Sequence, residues 1–242
     1  MNNTFDFKRF GQVLARDWKN YFRNFGIALL VFVFLPVLLW VASLVLDVNI
    51  DADSRIPLLL CIVVEALMIA PSKVYGNANL SREGVAFAMM PATNLEKFFS
   101  MVIYCSILTP LIVGLGTLSI DSLLAMMPFG GFEGFGMTEF YNIGSAIVSF
   151  TCFYLLISSI FLFGNMVFKK RKAGNTIVWG VLIILVITII LQLFGFWKGF
   201  FYWETRGISN QNILPWLNSA FMFVVAIVFY YLTYRRIKNQ KY

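Results

Sequence analysis

The residues best placed to do chemistry in this chain are Thr93 and Glu96, Glu65, and three cysteines, Cys61, Cys105 and Cys152. Thr93-Asn94-Leu95-Glu96 has the spacing of a capping box. The Thr93 hydroxyl accepts from the Glu96 amide while the Glu96 carboxylate accepts from the Thr93 amide, which fixes the start of a helix. Upstream, Ser81 is expected to cap a short helix that begins at Arg82 and places Val85, Ala88 and Met89 on one face. Pro91 disfavours helical geometry at Met90 and so ends that helix. The stretch Ser81–Lys97 therefore reads as a stiff helix-turn-helix corner that runs directly into a long apolar helix. Such a corner transmits a push; it does not break bonds. A well-capped loop with no partner has the same spacing.

Enzyme chemistry is limited by what is missing. The chain has no His, which excludes Ser-His and Cys-His nucleophiles, His-Glu-x-x-His zinc sites and haem ligation by His. No Gly is followed by Lys, so no Walker A loop is present to hold nucleotide phosphates. The longest non-apolar segments are about 25 residues, too short for a nucleotide-binding domain, which needs at least ~50. No catalytic, metal or cofactor residues are assigned, and any ATP used is expected to bind another chain. The cysteines fall inside apolar runs, where a thiol behaves as a small hydrophobe.

The elements that must position these residues are membrane helices. Of the 242 residues 60% are hydrophobic, 17% aromatic and only 13% charged, and mean hydropathy is +0.78. That balance belongs to an integral membrane protein. Six apolar runs are long enough to cross a hydrocarbon core: Gly26–Leu46, Ile56–Val74, Phe98–Ile120, Ile143–Phe168, Thr176–Phe196 and Leu214–Tyr234. The fold expected is all-α and polytopic. Glu65 lies near the middle of the second run, where a carboxylate costs about 2.5–3.5 kcal/mol. It is expected to face protein or a polar cavity, as a hydrogen-bonding acid or as a functional group. Pro36 and Pro110 are expected to bend or break the first and third spans.

Charge sets the orientation. Sixteen of the nineteen Lys and Arg fall before the first span, between spans two and three or at the end of span two (Lys73), between spans four and five, or in the tail. Basic residues near span ends are retained on the cytoplasmic side, so both termini and the Ser81–Lys97 corner are expected there, at the plasma (inner) membrane. The net charge of +7 follows from this topology, and nucleic-acid binding is not implied. Residues 1–25 read as an amphipathic interfacial helix: Phe7, Phe10, Leu14, Trp18, Tyr21 and Phe25 recur at three- and four-residue steps, with the basic residues largely off that stripe. It anchors the first span in the headgroups, and it could also touch a cytoplasmic partner. The Gly- and aromatic-rich Met126–Asn142 reads as a flexible loop at the outer surface, and Gly195-x-x-x-Gly199 as a weak packing motif.

The corner sequence "FAMMPATNLEKFFSMVI", with an apolar pair, Pro, a small residue, a hydroxyl-bearing residue and a charged helix start after the second span, resembles the coupling loop of type-2 ABC transporter permease subunits. Asn94 stands where the commoner pattern has Arg. The layout is similar over nearly the whole length: an amino-terminal elbow helix (1–25), a six-span domain (26–242), a basic turn "KKRKAGN" between spans four and five, and an aromatic external segment "FWKGFFYWETRGISNQN" like the family's re-entrant hairpin. The resemblance implies a transmembrane permease of an ATP-driven exporter, working by alternating access. It further implies a homodimer or a heterodimer with a related permease, and a separate ABC ATPase subunit docking at Arg82, Val85, Met89, Met90, Pro91, Thr93 and Glu96. The competing reading is a non-transporting membrane scaffold or immunity protein that uses the corner as an epitope.

Overall fold

The computed structural model describes residues 5–79, 84–127, 131–135, 144–193 and 213–239. Its elements in chain order are α1 (Phe7–Leu46), β1 (Ile50–Asp51), α2 (Ala52–Val74), a 3-10 turn (Gly76–Asn79), α3 (Gly84–Ala88), α4 (Asn94–Val102), a π-helical segment (Ile103–Leu108), α5 (Thr109–Ala125), β2 (Phe132–Glu133), α6 (Gly144–Val167), α7 (Lys172–Leu193) and α8 (Ile213–Lys238). Five helical stretches among the described residues are long and apolar enough to cross a membrane: α1, α2, α4 through α5, and the parts of α6 and α8 that cover Val148–Val167 and Ser219–Lys238. The expected fifth span falls on α7, whose side chains are described only as far as Leu182. Arg82, the Gly195-x-x-x-Gly199 motif and the aromatic segment before the last helix lie outside the described residues.

The helices alternate in direction. The start of α1 meets the start of α4, the end of α2 meets the start of α7, and Tyr234 near the end of α8 packs its ring on Phe98 of α4. These contacts define one end of the bundle, called here the basic end for the Lys and Arg it carries. α6 and α8 form the most extensive helix pair.

α1 corrects the expected elbow at residues 1–25. Its 40 residues form one helix, about 60 Å long at 1.5 Å per residue, with no break at Gly26 or at the buried Pro36. The expected aromatic stripe does not face headgroups as a unit. Phe7 and Trp18 are exposed, but Tyr21 and Phe25 are fully buried. The packing face is Val13, Asp17, Tyr21, Phe25, Leu29, Phe32, Pro36 and Ser43, spaced mostly at four residues, and α1 lies against α2, α4 and α5. The stripe is rotated because α1 has helical neighbours along its first half, whose side chains bond Asp17, Tyr21 and the Leu14 carbonyl.

The break or bend expected at Pro110 takes the form of a local widening, and the helix runs on without interruption from Asn94 to Ala125. Proline supplies no amide for the preceding turn, and the chain answers by widening into the π segment just before it. The Thr109 amide reaches back to the Tyr104 carbonyl, and the Thr109 hydroxyl donates to the same carbonyl at 2.8 Å. Tyr21 on α1 meets that hydroxyl at 3.0 Å.

At the opposite end, residues 131–135 of the expected flexible loop are pinned instead, while 128–130 and 136–142 lie outside the described residues. β2 pairs in parallel with β1, Ile50 opposite Phe132 and Asp51 opposite Glu133. Gly131 is required there, because a Cβ would lie 2.3 Å from the Val48 carbonyl oxygen. The pin is held by Arg55, which is 1% exposed. Its Nε donates to Asp121 Oδ1 at 3.0 Å, its Nη groups donate to the carbonyls of Ile50, Glu133 and Gly134, and its guanidinium stacks 4.3 Å from the Phe132 ring centre. A planar five-donor group satisfies α2, α5, β1 and β2 at once.

Because the Arg55–Asp121 pair is buried and closely matched, removing one partner strands a charge. Asp121→Ala is expected to destabilise the chain by about 3–5 kcal/mol. Arg55→Lys keeps the charge but loses the fork, and should fall between wild type and Asp121→Ala in detergent thermal unfolding. An Asp121→Ala protein as stable as wild type would contradict this role.

Candidate functional site

The corner is built as its sequence suggests. Thr93 sits in extended geometry as the N-cap of α4 and accepts the Glu96 amide at 3.3 Å, and Glu96 Oε2 accepts the Thr93 amide at 2.8 Å. The capping box is complete. Before it, α3 closes through Met89 N–H to Val85 O at 2.8 Å, and the Pro91 turn carries Ala92 N–H to Met90 O at 2.7 Å. Val85 and Met89 project outward, Met89 at 79% exposure, while Met90 is buried beneath the turn. The corner therefore presents Val85 and Met89, with Leu95 exposed beside them on the first turn of α4, and hides Met90; the Ala88 side chain lies outside the described residues. Arg82 and the Ser81 cap lie outside the described residues.

Glu96 does more than cap. It is fully buried, and its Oε1 also accepts the Asp6 amide at 3.0 Å and Arg9 Nη2 at 3.2 Å. One carboxylate thus binds the start of α4 to the start of α1. Burial works to raise its pKa, but the amides of Asp6 and Thr93, the Arg9 charge and the Thr93 side-chain hydrogen bond outweigh it and hold the group below its ordinary 4.5.

A second carboxylate lies three turns further along α1. Asp17 is 2% exposed; Oδ2 accepts Ser100 Oγ of α4 at 2.6 Å and the Tyr75 hydroxyl at 3.0 Å, and Oδ1 accepts Arg16 Nη2 at 2.9 Å. Tyr75 follows α2, and its carbonyl accepts Asn165 Nδ2 of α6 at 3.2 Å. The Tyr104 hydroxyl donates to the Leu14 carbonyl at 2.7 Å, one turn above Asp17. Lys97, also buried, sets its ammonium 5.3 Å from the Phe87 ring centre and so joins α3 to α4. Burial and the nearby Arg16 lower the Lys97 pKa, against the Glu96 charge that raises it. α1, α2, α3, α4 and α6 are thereby joined by one chain of polar contacts at the basic end.

Sequence reasoning missed Asp17, Tyr75 and Ser100. The available signal was Asp17 itself, an acid on the i, i+4, i+8 face shared with Val13, Tyr21 and Phe25; an acid on a packing face must have buried partners.

Glu65 corrects another expectation. Its side chain is exposed on the outside of the bundle, on the same face of α2 as exposed Leu58 and Cys61, and has no hydrogen bond among the described residues. The helix turns it away because the opposite face is taken up by Leu59, Ile62, Val63, Ala66 and Leu67, all buried. Among the described residues no group of His, Cys, Asp or Glu is placed to hold a metal ion. No known protein family, curated protein or solved structure matches this chain.

Because the folded Glu96 pKa lies below 4.5, the carboxylate contributes its stability fully above that pH and loses it as pH falls through the lower folded value. Hydrogen exchange should therefore find the amides of 84–100 protected at pH 7 and loosened below pH 4.5. Glu96→Gln should loosen them at pH 7, by about 1–2 kcal/mol. Gln keeps an acceptor for the Thr93 amide, so unchanged protection in Glu96→Gln would show that the negative charge and its pairing with Arg9 contribute nothing.

Proposed function

We propose that this chain is the transmembrane permease subunit of an ATP-driven ABC exporter. ATP is bound by a separate ATPase subunit, which docks on the α3–α4 corner at the cytoplasmic face. The observation that carries this reading is the pairing of exposed apolar side chains, Val85 and Met89, with a mounting that allows the corner little independent movement. An exposed loop with no partner has no need of a buried capping carboxylate shared with α1, nor of a helix that continues unbroken from the corner into an apolar span. The absence of His and of any Gly-Lys pair from the sequence agrees with ATP chemistry residing in another chain.

The mechanism follows from rigidity. Closure of two ATPase subunits on nucleotide moves Val85 and Met89; Pro91 and the Thr93–Glu96 box pass the displacement to α4; and the Glu96–Arg9 and Asp17–Ser100 contacts carry α1 with it. The π segment and Pro110 then separate a lower arm, α4, from an upper arm, α5. π segments of this kind are weaker points in a helix, and a bend there converts movement at the basic end into a change of tilt within the membrane. In this reading six spans cross the plasma (inner) membrane, both termini are cytoplasmic, and two permease subunits, identical or related, enclose the path. Glu65 on the outer face of α2 then faces the second subunit or the path itself, which removes the cost of a carboxyl among lipid tails.

Met89→Asp places a charge in an apolar contact and should reduce retention of the ATPase during purification in mild detergent by at least about tenfold. Pro91→Gly should leave retention within about twofold but lower the transport obtained per ATP hydrolysed, because it frees the turn. If Met89→Asp retains the full complex and Pro91→Gly transports as wild type, the corner is not the coupling site.

A further inference from the structure

α2 and α7 meet at the basic end beside an open cleft of about 390 Å³. Ser72, Gly76 and Asn77 line one side; Lys169, Arg171 and the first turn of α7 line the other. Lys172, the first residue of α7, is only 8% exposed, and its ammonium donates to the Gly76 carbonyl. An ammonium has three donors. That neutral carbonyl is its one acceptor among the described residues, and no described acidic side chain lines the cleft. Burial lowers the Lys172 pKa to about 8, the direction expected of a cation held without a counter-charge.

Two further features converge on the same space. The amides of Lys172, Ala173 and Gly174 come before the first amide that donates along the helix, that of Asn175, which closes on the Arg171 carbonyl. Lys169 and Arg171 are exposed beside them, and Arg171 holds a left-handed φ of 45° at the turn into the helix. Three cations and the positive end of a 22-residue helix therefore surround a cavity that contains no negative group from the described chain.

We propose that this cleft binds a phosphate group, carried by an anionic phospholipid headgroup or present as a free phosphate ion. Several acceptor oxygens and a charge of −1 to −2 on one tetrahedral group match several converging donors better than a planar carboxylate does. The position suits a headgroup: Trp179, exposed on α7, lies about 10 Å along the helix from Lys172, at the spacing of an interfacial aromatic below a charged surface. This inference does not depend on the permease reading.

The test uses the purified full chain. Native mass spectrometry after exchange into micelles doped equally with phosphatidylglycerol and phosphatidylcholine reads the headgroup arm. Thermal unfolding in inorganic phosphate against chloride at matched ionic strength reads the free-ion arm. Wild type should keep phosphatidylglycerol preferentially, be stabilised by phosphate specifically, or do both. Lys169→Gln/Arg171→Gln, which changes only exposed side chains, should weaken whichever response is seen on the order of thirtyfold. Lys172→Gln should weaken it as well, and if that variant does not fold the double variant decides alone. Preferential lipid retention that the double variant loses assigns the headgroup, and a lost phosphate response assigns the free ion. Equal retention of the two lipids with no phosphate-specific stabilisation overturns the proposal, as does a response that the double variant leaves unchanged.

Discussion

A buried carboxylate, Asp17, organises the basic end of this protein. In lipid the apolar surfaces of helices gain little by meeting each other, since acyl chains are as apolar as leucine, and position is set by close packing and by polar contacts. Asp17 supplies such a contact in concentrated form. It accepts hydroxyls from Tyr75 and Ser100 and is paired with Arg16, so that α1, the end of α2 and α4 share one group. Without these donors the carboxylate could not remain buried on the packing face of α1, and that helix would have to turn a different face inward.

Two clamps at opposite ends thus hold an apolar bundle together. At one end are Asp17 and Glu96; at the other is Arg55, which binds Asp121 and three backbone carbonyls. Between them the contacts are mainly steric or involve single hydroxyls. Gly116 lets Val33 of α1 approach α5, where a Cβ would stand 2.9 Å from its methyls, and the Tyr230 hydroxyl joins Ser106 and Ser158 at 2.8 Å. The Tyr230 contact with Ser106 ties α8 to the π segment. Between the two clamps, at the π segment and Pro110, the third apolar helix changes register.

The sequence made some of this legible. Thr93 and Glu96 were readable because a capping box is local: its two hydrogen bonds lie within four residues, and spacing alone predicts them. Pro110 was readable for the same reason. What could not be read was long-range. Glu96 has a second set of partners, Asp6 and Arg9, some ninety residues away, and nothing in the box announces them. Arg55 and Asp121 looked like ordinary charges at span ends until the fold buried them together. The straight course of α1 was hidden because an amphipathic stripe looks the same whether headgroups or helices cover it. The place of Glu65 on the outer face of α2 was not readable, because the cost of a carboxylate in hydrocarbon argues that something must cover it, but not that the cover belongs to the same chain.

The central claim is that the corner and the first half of α1 move as one body. Spin labels at Phe7 and Met89, both exposed, would measure it directly in a chain whose three cysteines have been replaced, reconstituted in nanodiscs at pH 7. Pulsed dipolar spectroscopy should give one narrow distance distribution, and it should stay narrow in the presence of nucleotide and the ATPase subunit that the proposed function calls for. A broad or two-population distribution in the wild-type background would mean that the corner moves independently of α1, and the account of transmission through Glu96 and Asp17 would be wrong.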